Sequence, residues 1–233
     1  MNDIILEARG LYKSYGPNPV IRDMNVSLPA GRIVGLLGPN GSGKTTLIKL
    51  AAGLLVPTAG ELLICGREPD EVTRSFVSYL PERTYFSGWM SAIETVDMFT
   101  DFYHDFDRNR ALTMMSHLGI NTSAKLRTLS KGTKEKLQLI LVMSRSARLY
   151  LLDEPIGGVD PAAREYILRT IISNYAENST VVISTHLISD IESVLDDFIF
   201  LRDGQILMQS SADEAREKHN MSIDGLFREV YKC

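Results

Sequence analysis

Gly38-Pro39-Asn40-Gly41-Ser42-Gly43-Lys44-Thr45-Thr46 decides how this chain is read. It follows an apolar, strand-like run, Ile33 to Leu37, and leads into a helical run from Thr45 to Ala52. Glycines at these intervals leave successive backbone N–H groups unshielded, so the loop can curl around an anion while the following helix turns its positive dipole end toward it. The spacing, Gly, four residues, then Gly-Lys-Ser/Thr, is that of a phosphate-binding loop. In that arrangement Gly38, Pro39, Asn40, Gly41, Ser42 and Gly43 form the cradle, and Lys44 brings a mobile positive charge to the β- and γ-phosphates. Thr45 can place its hydroxyl on Mg²⁺, and Thr46 is within reach of the α-phosphate.

Further short apolar runs read as buried strands: Val77 to Leu80, Leu149 to Leu152 and Val181 to Ser184. After Asp160, with Pro161 in a first-turn position, Ala163, Ile167, Ile171 and Tyr175 recur every four residues and predict a helix with one apolar stripe. Strands alternating with helices imply an α/β architecture with a mostly parallel sheet. Leu6 to Tyr12, Val20 to Leu28 and Gly60 to Ile64 read instead as a smaller antiparallel β layer, and about 91–146 as an inserted helical lobe. The expected organisation is a single domain over 1–233, with a core of about 1–85 and 147–233 and a lobe of about 86–146.

Leu149-Tyr150-Leu151-Leu152-Asp153-Glu154-Pro155 is an apolar strand that delivers two acids at its C-terminal end, where open α/β sheets bind ligands. Asp153 fits a metal-holding role, and Glu154, one residue on, can polarise an attacking water. His186 follows another buried strand directly, in Ser184-Thr185-His186, where an imidazole can reach a γ-phosphate or that water.

With 44% apolar and 23% charged residues the composition is that of an ordinary globular protein, which excludes disordered and fibrous classes. A net charge of −4 gives no footprint for a nucleic acid backbone, so no nucleic acid partner is expected. Cys65 and Cys233 are too few and too far apart for a disulfide framework or a metal pair, as in a reducing compartment. No secretory signal is visible, and runs such as Leu139 to Met143 fall far short of the ~20 residues a spanning helix needs. A cytoplasmic location is expected, and any service to a membrane would be by docking.

Leu129-Ser130-Lys131-Gly132-Thr133, ahead of the Asp153-Glu154 strand, resembles the signature of ABC (ATP-binding cassette) proteins, usually Leu-Ser-Gly-Gly-Gln. The resemblance runs through nearly the whole chain. Tyr15 looks like the adenine-stacking aromatic, Tyr79-Leu80-Pro81-Glu82 like the Q-loop, Gly157-Gly158-Val159-Asp160 like the D-loop and His186 like the switch histidine. It implies ATP and Mg²⁺ as ligands, and a head-to-tail homodimer or heterodimer of ATP-binding subunits. Each nucleotide then lies between one subunit's phosphate loop and the other's signature, with Ser130 and Gly132 on the γ-phosphate. The residues agree, since Ser130 and Gly132 open a helical run and offer a hydroxyl, N–H groups and a helix dipole. A separately encoded integral membrane permease is the implied partner, with the chain peripheral on the inner face of the membrane. Glu154, His186 and Lys44 are the implied catalytic groups.

The chain departs from the pattern at Lys131, Thr133 and Glu82. Glu82 stands where the family has glutamine; an ionised carboxylate cannot donate but is a good oxygen ligand, so a metal set of Thr45, Glu82 and Asp153 is expected. Arg83-Thr84-Tyr85-Phe86-Ser87-Gly88-Trp89-Met90 is rich in aromatic residues and serves either the packing of the helical lobe or docking to the membrane subunit. The Q-loop region resembles exporter cassettes more than importer cassettes. A soluble, non-transport ABC ATPase, for example of the iron–sulfur assembly type, is the alternative. A guanine-reading Asn-Lys-x-Asp sequence does not occur.

Overall fold

The computed structural model describes residues 3–157, 161–175 and 178–232. A long hairpin, β1 (Ile4–Tyr15) and β2 (Asn18–Pro29), precedes β3 (Ile33–Leu37), α1 (Lys44–Ala51) and β4 (Ala59–Ile64). There follow α2 (Glu71–Phe76), β5 (Val77–Leu80), α3 (Ala92–Phe102), α4 (Arg108–His117), a 3-10 turn at Leu126–Thr128 and α5 (Lys131–Met143). Alternation resumes with β6 (Leu149–Asp153), α6 (Pro161–Asn174), β7 (Thr180–Thr185) and α7 (Ile188–Ile191), then β8 (Asp197–Arg202), β9 (Gln205–Ser211), α8 (Ala212–His219) and α9 (Ile223–Val230).

The main sheet has the order β5-β6-β7-β3-β8-β9, parallel throughout except for β9. A second, antiparallel sheet has the order β2-β1-β4. The parallel strands read as unbroken apolar runs because both of their faces are covered. Val34, Leu36, Leu149 and Leu151 pack with α1 and the antiparallel sheet, whereas Ile33, Leu37, Tyr150 and Leu152 face the helices on the other side.

The antiparallel layer, the parallel core strands and the helical character of 91–146 are all as expected from the sequence. Along α6, Ile167 and Ile171 are buried and Tyr175 packs against the core just beyond the helix. Asp160 lies outside the described residues, as do Gly158 and Val159 of the expected D-loop, and Cys233. The α5 helix stops at Met143. The β8–β9 hairpin was not singled out in the sequence, although Asp203-Gly204 carries the two positive φ values of a tight hairpin turn, 50° and 78°. No helix among the described residues is long and apolar enough to cross a membrane.

Between α3, α4 and the sheet sits Arg145, buried to 3% exposure. Its guanidinium donates to Val77 O at 2.6 Å and Ser75 O at 2.5 Å, and to both carboxylate oxygens of Asp105 at 3.0 and 3.1 Å, while stacking 4.0 Å from the Tyr103 ring centroid. One cation thus holds the α3–α4 connection to the start of β5. Its removal leaves two carbonyls and a carboxylate without their donor, so Arg145→Ala is expected to cost about 3 kcal/mol of stability, read as a lowered urea midpoint. A midpoint within experimental error of the parent protein would remove this anchoring role.

Candidate functional site

Three parallel strands bring their C-terminal ends level, with Asp153 beside Ser184 and Leu37 beside Thr185. The loop after β3 and the first turn of α1 therefore lie against the acids at the end of β6. The loop demands glycine for two different reasons. A Cβ on Gly38 would lie 2.3 Å from Leu201 O, and Gly43 has φ +107° with Ile21 Cδ1 2.9 Å from any added Cβ. The β8–β9 turn braces it, because Gly204 N donates to Ser42 O at 3.0 Å and Arg22 N to Gly204 O at 3.0 Å. A Cβ on Gly204 would sit 2.1 Å from Val20 O, so the hairpin missed in the sequence supports the loop.

Lys44 Nζ folds back onto Gly38 O at 2.7 Å and Pro39 O at 3.2 Å, and lies 3.8 Å from Glu154 Oε1. Burial pushes its pKa down, against the upward pull of Glu154, Asp153 and Glu82. Asp153 Oδ1 accepts from Ser184 Oγ at 2.6 Å and Thr45 Oγ1 at 3.0 Å. Burial pushes the Asp153 carboxyl up, which the two hydroxyls partly offset.

Glu154 has φ +50°, a left-handed backbone conformation uncommon outside glycine. Its carboxylate is held at both oxygens: Thr185 Oγ1 donates to Oε2 at 3.1 Å, and His186 Nδ1 lies 3.0 Å from Oε1. Ser184 and Thr185 were passed over as functional residues in the sequence; their signal is two hydroxyls closing a Val-Val-Ile strand. A side chain so fixed, on a backbone so rarely adopted, has the marks of a functional position.

A cleft of about 970 Å³ opens over these groups. Asn40, Gly41, Gly43, Lys44, Thr45, Thr46, Glu82, Glu154 and His186 line it, joined by Lys131 and Glu135 of α5. Gly38, Pro39 and Ser42 are not among the lining residues, and Asp153 lines a smaller adjoining cavity together with Glu82. Tyr15 is not among the lining residues; it is half-exposed at the end of β1, with Lys13 Nζ 5.5 Å from its ring centroid. Ser130 and Gly132 do not line the cleft either.

The family profile described as "ABC transporter" matches residues 21–157. The chain belongs to the ABC transporter family. Among its relatives, "ABC transporter ATP-binding protein YtrB" of Bacillus subtilis (strain 168) is 32% identical over 92% of this chain and 75% of that protein. "Lipopolysaccharide export system ATP-binding protein LptB" of Acidithiobacillus ferridurans is 30% identical over 97% of this chain and 96% of its own length. A solved structure described as "Structure of ATP binding subunit of ABC transporter" superimposes with a TM-score of 0.88 at 26% identity, over 98% of this chain and 100% of that one. The protein is an ATP-binding ATPase cassette of that family.

The signature segment of the cassette opens α5 at the surface. Ser130 and Lys131 are exposed, and a Cβ on Gly132 would meet nothing within 4 Å. Ser130 Oγ caps the helix by accepting from Thr133 N at 3.2 Å. The aromatic stretch divides: Phe86 packs on Phe99 with centroids 6.1 Å apart, while Tyr85 and Trp89 are 55% and 68% exposed.

Burying Asp153 has a stability consequence in the metal-free protein. A carboxyl with a folded-state pKa above its ordinary 3.8 contributes stability that is complete below 3.8 and is lost as the pH rises through the folded value. Asp153→Asn is therefore expected to raise the metal-free Tm at pH 7 by about 2–4 °C, equivalent to ~1 kcal/mol in a chain of this size. That gain should narrow as the pH falls toward 3.8. A lower Tm for the variant at pH 7 would contradict the assignment of the cost to desolvation.

Proposed function

We propose that this cassette hydrolyses ATP as one of two paired cassettes and so drives a membrane exporter. The observation that carries the reading is the fixed Glu154 carboxylate, held by Thr185 and His186 at the mouth of a cleft lined by the phosphate loop. Glu154 takes a proton from water as that water's oxygen bonds to the γ-phosphorus. The bond from phosphorus to the β–γ bridging oxygen then breaks, leaving ADP and phosphate. Lys44 is near enough to exchange its carbonyl partners for phosphate oxygens, and His186 orients Glu154 through the ring nitrogen that meets it.

Thr45 and Asp153 fit a Mg²⁺ ion. Their oxygens adjoin at the start of α1, and Asp153 Oδ2 is buried with no partner. Glu82, exposed on the same cavity, adds a third oxygen donor. Mg²⁺ keeps several waters and shares its shell with phosphates, so two or three protein oxygens suffice. Bound there, the ion would neutralise charge on the phosphate oxygens.

Pairing is supported by the first turn of α5, where Ser130 is exposed, a Cβ on Gly132 would meet nothing within 4 Å, and neither lines the cassette's own cleft. A neighbouring cassette's nucleotide suits that surface. Tyr85 and Trp89, exposed on the segment after Glu82, suit a separately encoded permease at the inner face of the membrane. Export is favoured over import by the Q-loop resemblance and by the lipopolysaccharide export relative. The proposed division is a core of about 1–85 and 147–233 and a helical lobe of about 86–146.

Glu154→Gln keeps the shape of the side chain and removes the base. It is expected to lower the ATPase rate about a hundredfold or more and to trap an ATP-bound dimer, visible as a doubled mass in size-exclusion chromatography with ATP and Mg²⁺. Normal turnover by that variant would take Glu154 out of the reaction.

A further inference from the structure

Among the described residues, four buried side-chain oxygens have no hydrogen-bond partner: Ser42 Oγ, Glu135 Oε2, Gln138 Oε1 and Asp153 Oδ2. Ser42 belongs to the phosphate loop and Asp153 Oδ2 to the proposed metal position. The pair on α5 is not used by either. Leaving a buried acceptor unpaired is costly, and an amide or carboxylate oxygen has no way to satisfy itself.

Glu135 and Gln138 stand three residues apart and so share one face of α5. Both line a small cavity of about 20 Å³, bounded also by Pro81, Glu82, Asp153 and Pro155. A single water needs roughly 10–15 Å³ and two to four polar partners, so the space admits one water and no larger molecule. Two acceptors match the two hydrogens of one water. The other end of Gln138 is already committed, since Nε2 donates to Pro81 O at 3.1 Å.

We propose that this cavity holds one ordered water donating to both Glu135 Oε2 and Gln138 Oε1, and that these two side chains are positioning residues that lock the Pro81–Glu82 segment to α5. Gln138 grips the segment directly, and the water recruits Glu135, 2% and 18% exposed side chains respectively, into the same buried network. Glu82 then keeps its place over Asp153 because α5 holds the backbone beside it. The first turn of the same helix carries Ser130 and Gly132, so a contact made there is passed three to eight residues along a rigid element toward the metal-side carboxylates. The kinetic part rests on the hydrolytic reading above; the water does not.

The test has a crystallographic and a kinetic arm, both on the full chain. A nucleotide-free crystal structure is expected to show one water within about 2.7–3.2 Å of both oxygens. Crystals soaked in Rb⁺ should give no anomalous peak within about 3.2 Å of Glu135 Oε2 and Gln138 Oε1. Glu135→Leu is expected to lower kcat about tenfold with KM for ATP changed by no more than about twofold, since the residue positions a neighbour rather than binding the nucleotide. Glu135→Gln, which keeps an acceptor oxygen, should recover at least half of the parent rate. If Glu135→Leu fails to fold, Gln138→Met carries the same kinetic comparison. An empty cavity, an ion peak, a Leu variant at the parent kcat, or a Gln variant as slow as Leu would each overturn the proposal. Normal turnover by Glu154→Gln would instead overturn the hydrolytic reading and leave the water to be judged by the crystals alone.

Discussion

Two hydroxyl–carboxylate hydrogen bonds from the end of β7 to the acids at the end of β6 hold the site together, and the sheet exists in the form needed to make them. Ser184 reaches Asp153 and Thr185 reaches Glu154 only because β6 and β7 run parallel in a register that sets Asp153 opposite Ser184. A slip of one residue would turn every side chain of the strand to the opposite face and separate both pairs. That register is held by apolar faces on both sides of the sheet, Leu149 and Leu151 against α1 and Tyr150 and Leu152 against the helices. Hydrophobic packing spread over two cores thus fixes the placement of two carboxylates to within hydrogen-bond tolerance.

The same arrangement is unfavourable in itself. Lys44 is buried enough to lose affinity for its proton, Asp153 is buried enough to hold its proton longer, and Glu154 adopts a left-handed backbone. A strained non-glycine conformation costs of order 1–3 kcal/mol, and desolvated charges add to it. On the proposed function the two desolvation costs would fall when a triphosphate and its cation bind, because Lys44 would gain anionic partners and Asp153 a positive one. The free cassette is therefore held in a state that ligand relieves, and binding energy goes into organising the pocket.

Much of this was legible in the sequence because it rests on local rules. Strand β3, the glycine loop and α1 follow one another in a pattern contained within the nineteen residues from Ile33 to Ala51, and β6 announces its acids at its own end. What escaped detection depends on distant partners. Gly204 matters because its backbone touches Val20 and Ser42, far away in sequence. The β8–β9 hairpin left an Asp-Gly signal, but nothing local connects that turn to a phosphate loop. Tyr15, expected from the resemblance to stack on the adenine, stands half-exposed at the end of β1 beside the hairpin turn. The aromatic stretch could not be divided from sequence, since Tyr85, Phe86 and Trp89 differ in surroundings and not in kind.

Attachment of α5 and the lobe to the sheet explains how events at one surface can reach another. Arg145 ties Asp105 and Tyr103 to the beginning of β5, through Ser75 and Val77, and Gln138 ties α5 to the residue just beyond the end of that strand, Pro81. Both ends of β5 are thus gripped from the helical side, and α5 is hydrogen-bonded directly to the loop that follows β5. That loop holds Glu82 over the nucleotide cleft and leads within seven residues to the exposed Trp89. The first turn of α5 and the aromatic surface are thus connected through one helix, the Gln138–Pro81 hydrogen bond and the short segment that follows it.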